Sequence, residues 1–524
     1  MAAGNGKLEA VETAAPMQLA SKKVCVVGMC VTDLIYYVPR MPATGETLVG
    51  SKFASGFGGK GANQAVQAAI LGCDVVMVSN VGDDTFGRDT IQNFKRRRVD
   101  AEHVTCRLGA TSGVAPIAVD TSTGQNSIVI VPGAADGFTP EDVGKAAAAI
   151  SSCGVMVCQL EIPMETTVAA LRLGHEKGLL TILNTAPAPP GTKLPDEIWA
   201  LCDIICPNEP ELEGLTGMPV GTEAEVEAAA REVIRRGAKK VLVTLGSRGS
   251  ALFEPNGAGK FVPGVRAVAK DTSGAGDSFL GALVHYMVEG FPLVKAMEYA
   301  NRVAAVSITR EGTQRSYPDA SEVLARHAIG LIDHTSLGLD DTDEKIRKLV
   351  DAAVAEAPHT AAVCIYPKFV SFVRGMQEED PKKYPRSLRV CTVVNFPSGK
   401  ESAQKVVADA AAAVKDGADE VDLVIDYNLL KEDVAKGRAA AEALTKAVRA
   451  VCPDDQVLLK VIIESGELKD PALITAACEA SIAGGCDFVK TSTGKVPVNA
   501  TPESAELMLR AVANHAKSSG SSGR

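Results

Sequence analysis

The chain has 524 residues, enough for two to four domains at roughly 100–200 residues per domain. Its residues are 46% hydrophobic but only 4% aromatic, so its cores must be mainly aliphatic, as in parallel sheets covered by Ala-rich helices. The net charge of −10 disfavours nucleic acid as a partner, and no apolar run reaches the roughly 18 residues of a membrane helix. The 13 cysteines lack zinc-type spacing and favour a reducing compartment, so we expect a cytoplasmic protein.

Short apolar runs alternate with Ala-rich helical patterns over the first three-fifths of the chain. The helical patterns include residues 63–71 and 223–236. The predicted strands cover residues 24–28, 75–82, 127–133, 155–161, 179–184, 202–208 and 240–246. This βαβ rhythm predicts a doubly wound, mostly parallel α/β sheet.

From about residue 330 the rhythm becomes more regular. Apolar runs begin near residues 331, 361, 390, 420, 458 and 487, with a helical segment in each interval. Repeating βα units of about 30 residues are typical of a (β/α)₈ TIM-type barrel, of which six units are present, followed by a helix at 502–516. The predicted organisation is a disordered tail at 1–21, a first domain at 22–317, an incomplete barrel at 318–517 and a flexible tail at 518–524.

A glycine-rich segment, Asp271–Asp277, precedes the apolar helical stretch Ser278–Val288. Its small residues let the backbone approach a phosphate, and N–H groups at a helix N-terminus stabilise an anion. The carboxylate of Asp277 can accept the proton of an attacking hydroxyl in a phosphoryl transfer. By itself the segment also fits a glycine-rich turn whose aspartate caps a helix.

Other polar segments follow predicted strands, where open α/β sheets bind ligands. They are Asp33, Glu161, Asn208–Glu211 and Thr244–Gly249, while Gly58–Asn63 opens a predicted helix. Lys60 and Asn63 can donate to a polyol, and the carboxylate of Asp33 can accept two sugar hydroxyls. The structural alternatives are an ordinary helix N-cap at Asp33 and a turn at Gly58–Asn63.

These segments, in this order, resemble the ribokinase family over residues 22–317. The resemblance implies a central sheet with helices on both faces and a small β-lid formed by residues 47–57 and 111–130. It also implies ATP-dependent phosphorylation of a pentose and a homodimer that forms through the lid. The sequence departs from the family at Val31, where asparagine is usual, and at Asn184–Ala188, which lacks the usual first proline. The first departure bears on discrimination between ribose and 2-deoxyribose.

The ribokinase resemblance also assigns roles, with Asp277 as the catalytic base. The implied sugar-binding residues are Asp33, Gly59, Lys60, Gly61, Asn63, Glu161 and Asp277. The implied ATP-binding residues are Asn208, Thr244, Gly246, Ser247, Gly249 and Asn301, with Gly274, Ala275 and Gly276 as the anion hole. Glu211 is implied to position Mg²⁺ through water. The implied K⁺ loops contain Asp271, Ser273, Ser307, Arg310, Gly312 and Ser316.

Three charged residues lie in strand-like runs of the second part of the chain: Asp422, Lys460 and Lys490. A lysine at the end of a barrel strand is a candidate Schiff-base nucleophile, and we expect burial and a nearby cation to lower the pKa of Lys490. The structural alternative is a Lys460–Asp422 ion pair with Lys490 exposed at a strand end.

Residues 319–517 resemble deoxyribose-phosphate aldolase. The resemblance rests on the segments Ile332–Thr335, Asp340–Lys345, Val363–Pro367, Val393–Pro397, Glu420–Asp422, Leu459–Glu464 and Phe488–Lys495. It implies Lys490 as the Schiff-base lysine, with Asp422 and Lys460 as its proton-transfer neighbours. It also implies cleavage of 2-deoxyribose 5-phosphate to glyceraldehyde 3-phosphate and acetaldehyde, with no metal or cofactor.

The aldolase family has a second lysine on its seventh strand and phosphate loops after strands seven and eight, and no residues here match them. We expect an open sheet with two free edges and an exposed apolar interior. Such a half is completed by another chain, belongs to a shortened form, or is inactive.

The leading hypothesis is therefore a bifunctional pentose enzyme that phosphorylates ribose or 2-deoxyribose and then cleaves 2-deoxyribose 5-phosphate. One alternative is an active kinase whose aldolase-like half serves assembly or interaction. Another is a kinase for nucleosides or other sugars.

Overall fold

The computed structural model describes residues 19–519, except 124, 356–358 and 454–455. Residues 1–18 and 520–524 of the two predicted tails lie outside this part. The described chain forms two compact units, which divide between Ala325 and Arg326. We call them the N-terminal and C-terminal units. None of the described helices has the length and apolar character needed to cross a bilayer.

In the described residues, the N-terminal unit contains fourteen strands and ten complete helices, and an eleventh helix crosses into the C-terminal unit. The strands are β1 (Val24–Val27), β2 (Val31–Val38), β3 (Lys52–Gly58), β4 (Val75–Gly82), β5 (Val99–Asp100), β6 (Val104–Arg107), β7 (Gly113–Asp120), β8 (Asn126–Ile128), β9 (Val155–Cys158), β10 (Leu180–Asn184), β11 (Ile204–Cys206), β12 (Val241–Thr244), β13 (Gly249–Phe253) and β14 (Lys260–Pro263). The helices are α1 (Lys60–Leu71), α2 (Thr85–Arg96), α3 (Pro140–Lys145), α4 (Ala147–Ser151), α5 (Met164–Glu176), α6 (Asp196–Leu201), α7 (Glu209–Thr216), α8 (Glu223–Arg235), α9 (Ala275–Val288), α10 (Leu293–Ser307) and α11 (Ala320–Ile329), the last of which crosses the division.

Ten of these strands form one sheet in the order β14-β13-β12-β11-β10-β9-β1-β4-β5, with β6 also paired to β4. The pairings from β12 to β5 are parallel, and β13 and β14 are antiparallel. Along β1, Cys25 and Val27 join one hydrophobic core, whereas Val24 and Val26 join another. The predicted doubly wound, mostly parallel sheet is confirmed, since apolar side chains on both faces require a helical layer on each side.

A separate four-stranded sheet, in the order β3-β2-β7-β8, forms the lid. The two predicted lid segments supply β3, β7 and β8, but the inner strand β2 was not predicted. Asp33 was expected at the carboxyl end of β1. It lies instead within β2, in register with Gly56 of β3 and Ala115 of β7. The lid therefore carries one of the predicted sugar-binding carboxylates itself.

Helices α1 and α9 pack closely together, and each begins at a predicted ligand-binding loop. A Cβ atom added at Gly281 of α9 would lie 2.7 Å from the backbone oxygen of Gln64 and 2.8 Å from the Cβ of Gln67, both in α1. The absence of a side chain at Gly281 therefore allows the two backbones to approach. This approach fixes the first turn of α9 relative to the first turn of α1.

The C-terminal unit has six strands, each parallel to its neighbour in the chain. The strands are β15 (Asp333–Thr335), β16 (Ala362–Ile365), β17 (Arg389–Val394), β18 (Glu420–Val424), β19 (Leu458–Ile462) and β20 (Phe488–Lys490). The helices are α12 (Asp343–Ala353), α13 (Val370–Glu379), α14 (Ala403–Lys415), α15 (Tyr427–Glu432), α16 (Val434–Arg449), α17 (Ser465–Leu468), α18 (Pro471–Ala483) and α19 (Pro502–Ser519), which extends two residues into the predicted tail. The sequential parallel order confirms the incomplete TIM-type barrel.

The two faces of this six-stranded sheet differ in chemistry. Val363 and Ile365 of β16 pack with apolar residues of the surrounding helices. Ala362 and Cys364 face the other way and join a small cluster with residues of β17. The predicted apolar interior is thus only partly correct, because this inner face also carries an ionic cluster, described below. Strands β15 and β20 are the two edges of the sheet.

The α1–α9 packing predicts that Gly281→Val lowers the free energy of unfolding by about 1–3 kcal/mol, because the new side chain meets α1 backbone. Thermal unfolding of the full chain measures this. Gly144→Val is the matched control, since a Cβ atom at Gly144 meets nothing within 4 Å. Equal stability of the two variants would contradict the close approach of α1 and α9.

Candidate active sites

A cavity of about 880 Å³ lies between the lid and the first turns of α1 and α9. Of the predicted sugar-binding residues, its lining includes Asp33, Gly59, Lys60, Asn63, Glu161 and Asp277. Gly61 is not in this lining. A Cβ atom there would lie 2.9 Å from the backbone of Gly28, so Gly61 serves the packing of α1 against the end of β1.

The buried carboxylate of Asp277 is held by two amide side chains from α1. Asn63 Nδ2 donates to Asp277 Oδ2 at 2.9 Å, and Gln64 Nε2 donates to Asp277 Oδ1 at 2.8 Å. Each hydrogen bond to a charged acceptor contributes about 1.5–3 kcal/mol. We call this arrangement the amide clamp. It fixes the orientation of the carboxylate at the cavity wall.

The amide clamp is itself supported by further buried amides. Gln314 donates to Asn63 Oδ1 at 3.1 Å, and Asn93 donates to Gln314 at 2.8 Å. Gln159 donates to Gln64 Oε1 at 2.7 Å. Sequence reasoning missed Gln64, Gln159, Gln314 and Asn93. For Gln64, the available signal was a polar side chain within an Ala-rich helix.

Three ionisable groups among the predicted sugar-binding residues have shifted pKa values. Burial, aided by the negative charge of Asp277, raises the pKa of Asp33 to about 6, although a hydrogen bond from Thr313 opposes the shift. Burial likewise raises the pKa of Glu161 to about 7, against the attraction of Lys60. Burial works against the charge of Lys60, but the surrounding carboxylates outweigh it and raise the pKa of its ammonium. The charged Lys60 therefore lies among carboxyl groups of which two, Asp33 and Glu161, have pKa values raised toward neutrality.

The predicted anion loop lies at the start of α9. Gly274 has a left-handed φ of 71°, and the helix begins at Ala275. A Cβ atom added at Gly274 would come 2.7 Å from Tyr317 Oη, whereas one at Gly276 would meet nothing within 4 Å. The first N–H groups of a helix have no partner within it, so this turn can bind an anion beside Asp277.

The predicted nucleotide residues lie outside the cavity lining. Asn208 caps α7 through Glu211, whose backbone N–H donates to Asn208 Oδ1 at 2.8 Å, and it forms an isolated bridge with Thr244. Asn301 donates to Ser250 Oγ at 3.2 Å and to the β14 backbone, so its amide ties α10 to the β13–β14 hairpin. Gly246, Ser247 and Gly249 form the tight turn between β12 and β13, where Gly249 has a φ of 100°.

The predicted K⁺ loops meet at Asp271. Its carboxylate accepts from the backbone N–H of Gly312 at 2.8 Å and from that of Ser273 at 2.9 Å, which lowers the pKa of Asp271 against the effect of burial. The hydroxyls of Ser307 and Ser316 donate to nearby backbone carbonyls. Arg310 forms an ion pair with Glu322. The loops that contain Asp271 and Gly312 are therefore joined by a hydrogen bond. The side chains of Ser307, Arg310 and Ser316 contact groups near them in the chain.

In the C-terminal unit, two lysines and three carboxylates form an ionic cluster on the inner face. Lys490 Nζ donates to Asp422 Oδ2 at 2.5 Å and lies 3.3 Å from Asp333. Lys460 Nζ lies 2.6 Å from Asp333, 2.7 Å from Glu420 and 3.2 Å from Asp422. All three sequence-predicted residues are brought together. The structural alternative, a Lys460–Asp422 ion pair with Lys490 exposed at a strand end, does not describe this arrangement, because Lys490 also pairs with Asp422.

The expected lowering of the pKa of Lys490 is wrong. Burial lowers the pKa of its amine, but the adjacent carboxylate of Asp422 outweighs burial and raises it. The carboxylates around Lys460 raise the pKa of that amine in the same way, also against burial. Sequence reasoning missed Asp333 and Glu420 as members of the cluster. The period of two along β18 places Glu420 on the same face as Asp422 and was the available signal.

Residues 21–320 match the model of the pfkB family carbohydrate kinases. The chain belongs to the pfkB family of carbohydrate kinases. Residues 327–521 match the model of the DeoC/LacD family aldolases. The chain therefore joins a pfkB-type unit to a DeoC-type unit, as the two sequence resemblances predicted.

Individual relatives match the pfkB-type unit over nearly their full length. Deoxyribokinase of Salmonella typhi is 42% identical over 299 residues, covering 57% of this chain and 96% of that protein. Ribokinase of Mus musculus is 42% identical over 298 residues, covering 56% of this chain and 91% of that protein. A solved structure of Arabidopsis thaliana ribokinase with ribose and ATP has a TM-score of 0.55 at 32% identity, covering 60% of this chain and 98% of its own.

The amide clamp of the pfkB-type unit predicts that Gln64→Met lowers kcat for the sugar-dependent kinase reaction by about 10- to 100-fold and leaves the KM for ATP unchanged. Methionine retains the length of the side chain but cannot donate to Asp277, so the carboxylate loses its fixed orientation. Steady-state kinetics with a pentose and ATP measure both constants. Gln92→Met, at an exposed position of α2, is the control. A normal kcat in Gln64→Met would refute a positioning role.

Proposed function

We propose that the pfkB-type unit transfers the γ-phosphoryl group of ATP to the 5-hydroxyl of ribose or 2-deoxyribose, with Asp277 as the base. The observation that carries this proposal is the clamped carboxylate of Asp277, which shares one cavity with the predicted sugar-binding groups and adjoins the anion-binding turn of α9. The names of the related ribokinases and deoxyribokinase support the choice of pentoses.

In the proposed reaction, Asp33 and Glu161 accept hydrogen bonds from sugar hydroxyls, while Lys60 and Asn63 donate to them. Asp277 accepts the proton of the 5-hydroxyl as its oxygen attacks the γ-phosphorus. The bond between this phosphorus and the bridging oxygen breaks, and ADP leaves with the bonding electron pair. The N–H groups of Gly274, Ala275 and Gly276 stabilise the negative charge on the transferred group. The lid strand β2 brings Asp33 to the sugar and helps exclude water.

The same proposal assigns Mg²⁺ and K⁺ sites to this unit. The carboxylate of Glu211 fits a Mg²⁺ hydration shell: its oxygens accept from Asn208 but retain further acceptor capacity. The loops joined through Asp271 and Gly312 fit a K⁺ site built mainly from backbone oxygens. Bound cations supply positive charge that compensates the phosphates.

We further propose that two chains associate through their lids. The support is a group of exposed apolar side chains on or beside the lid strands: Phe53, Ile128, Val129, Ile130 and Val131. An exposed apolar group of this kind is typical of an interaction surface.

For the DeoC-type unit we propose Schiff-base cleavage of 2-deoxyribose 5-phosphate, with Lys490 as the nucleophile and Asp422 and Lys460 as proton carriers. The ionic cluster supports this proposal, because Asp422 contacts both amines and can accept a proton from Lys490 before attack on the carbonyl. The kinase product of 2-deoxyribose is the substrate of this step, which makes the two reactions consecutive.

The raised pKa values predict how sugar binding depends on pH. As the pH falls through about 7 and then about 6, Glu161 and then Asp33 take up a proton and lose acceptor capacity. The KM for the pentose is therefore expected to rise below neutrality. Pentose saturation curves at a series of pH values measure this. In Glu161→Gln the rise near pH 7 should disappear and the KM should be high throughout; an unchanged pH profile would contradict the role of Glu161.

The role of Asp277 predicts that Asp277→Asn binds ATP normally but loses about 10²- to 10⁴-fold in kcat, because asparagine cannot accept the hydroxyl proton. The measurement is analysis of phosphorylated products with ATP and ribose, 2-deoxyribose, fructose or adenosine. The wild-type chain should favour the two pentoses. A strong preference for adenosine would overturn the ribokinase proposal, and near-normal turnover of Asp277→Asn would overturn the base assignment.

The aldolase proposal predicts that borohydride reduction in the presence of acetaldehyde leaves an ethyl group on Lys490. Peptide mass spectrometry locates the adduct. It should be absent in Lys490→Arg and present in Lys495→Arg, which changes an exposed lysine of the following loop. If Lys490 stays unmodified while the kinase is active, the DeoC-type unit serves instead as an assembly or interaction module.

A further inference from the structure

Two cysteines lie side by side on the inner face of the DeoC-type sheet, next to the ionic cluster. Cys364 of β16 and Cys391 of β17 are register partners in adjacent parallel strands, and both belong to the small inner-face cluster. Cys391 Sγ lies 3.3 Å from Asp422 Oδ1. The three side chains are buried, with at most 1% of each residue exposed. The proposed Schiff-base chemistry uses neither sulfur.

These three groups have the chemistry and the spacing of a metal site. The ligand atoms of Cys364, Cys391 and Asp422 all lie within 4.8 Å of one another. Tetrahedral Zn²⁺ with bonds of about 2.3 Å to sulfur separates two sulfur ligands by about 3.8 Å, so movements of about an ångström or less complete the geometry. Thiolates together with a carboxylate favour Zn²⁺ over the hard cations Mg²⁺ and Ca²⁺.

We propose that Cys364, Cys391 and Asp422 form a binding site for Zn²⁺, with a fourth position open to water. Each thiol loses its proton to solvent as its sulfur bonds to the metal, so two protons leave for each Zn²⁺ bound. The net charge of the buried site then does not change. Solvent reaches this region through Asp333 and Lys490, whose side chains are 22% and 31% exposed.

A second group of three, Asp333, Cys391 and Glu420, meets the same distance criterion. It holds only one thiol, so Zn²⁺ there adds a net positive charge beside two ammonium groups. Charge balance therefore favours the pair of thiols. Across the described part of the chain these are the only two such groups.

The test uses the reduced, chelator-treated full chain titrated with Co²⁺, which reports thiolate ligands by a near-ultraviolet charge-transfer band. We expect one tight site whose band disappears when Zn²⁺ is added. Cys364→Ser and Cys391→Ser should each weaken Zn²⁺ binding by at least about 10- to 100-fold, the loss that removal of even an outer-shell partner causes. Cys478→Ser, a buried cysteine of α18, is the matched control and should bind like the wild type.

Absence of the cobalt band in the wild-type chain, or an unchanged metal affinity in both variants, would overturn the site. If either variant fails to fold by circular dichroism, X-ray absorption of the zinc-loaded wild-type chain decides: two sulfur ligands support the site, and none or four refute it. Inhibition of acetaldehyde trapping on Lys490 by Zn²⁺ is also expected, since Asp422 is shared, and this effect alone rests on the proposed aldolase function. Metal binding without trapping would keep the site and reject that function.

Discussion

The pfkB-type unit depends on one buried hydrogen-bonded acid. Asp277 can remain at the start of α9 because Asn63 and Gln64 of α1 each donate to one of its oxygens. These bonds require α1 and α9 to lie almost backbone to backbone, which Gly281 permits. Removal of one donor leaves a buried charge partly unpaired, which costs more than the bond itself contributes. Helix packing and the position of the proposed base are thus set by the same contact.

In the DeoC-type unit, the buried carboxylates are held by lysine side chains instead of amides. Three carboxylates and two lysines on the inner face compensate one another, and the carboxylate of Asp422 contacts both amines. Such a network persists in a buried place only when every member has a partner. Since an amine must lose its proton before it attacks a carbonyl, the proposed chemistry has to begin with a change inside this network.

The parallel strands and many of the candidate site residues were predictable from the sequence. Some site residues were missed or misplaced for physical reasons. Apolar runs at regular spacing predicted the parallel strands, because burial on both faces leaves a local pattern. Gln64 was missed because its partner Asp277 lies 213 residues away along the chain. Asp33 was misplaced because the lid strand β2 follows β1 after a short turn. The raised pKa of Lys490 depends on which neighbour is nearest, and strand register decides that.

The pairing of Lys490 with Asp422 also has a consequence for the reactivity of this amine. An ammonium has no lone pair, so the raised pKa lowers the fraction of this amine that can attack a carbonyl carbon. Metabolism is rich in reactive aldehydes and ketones, which modify unprotonated amines indiscriminately. The carboxylate of Asp422 therefore disfavours attack by Lys490 on such compounds as long as the ion pair is intact.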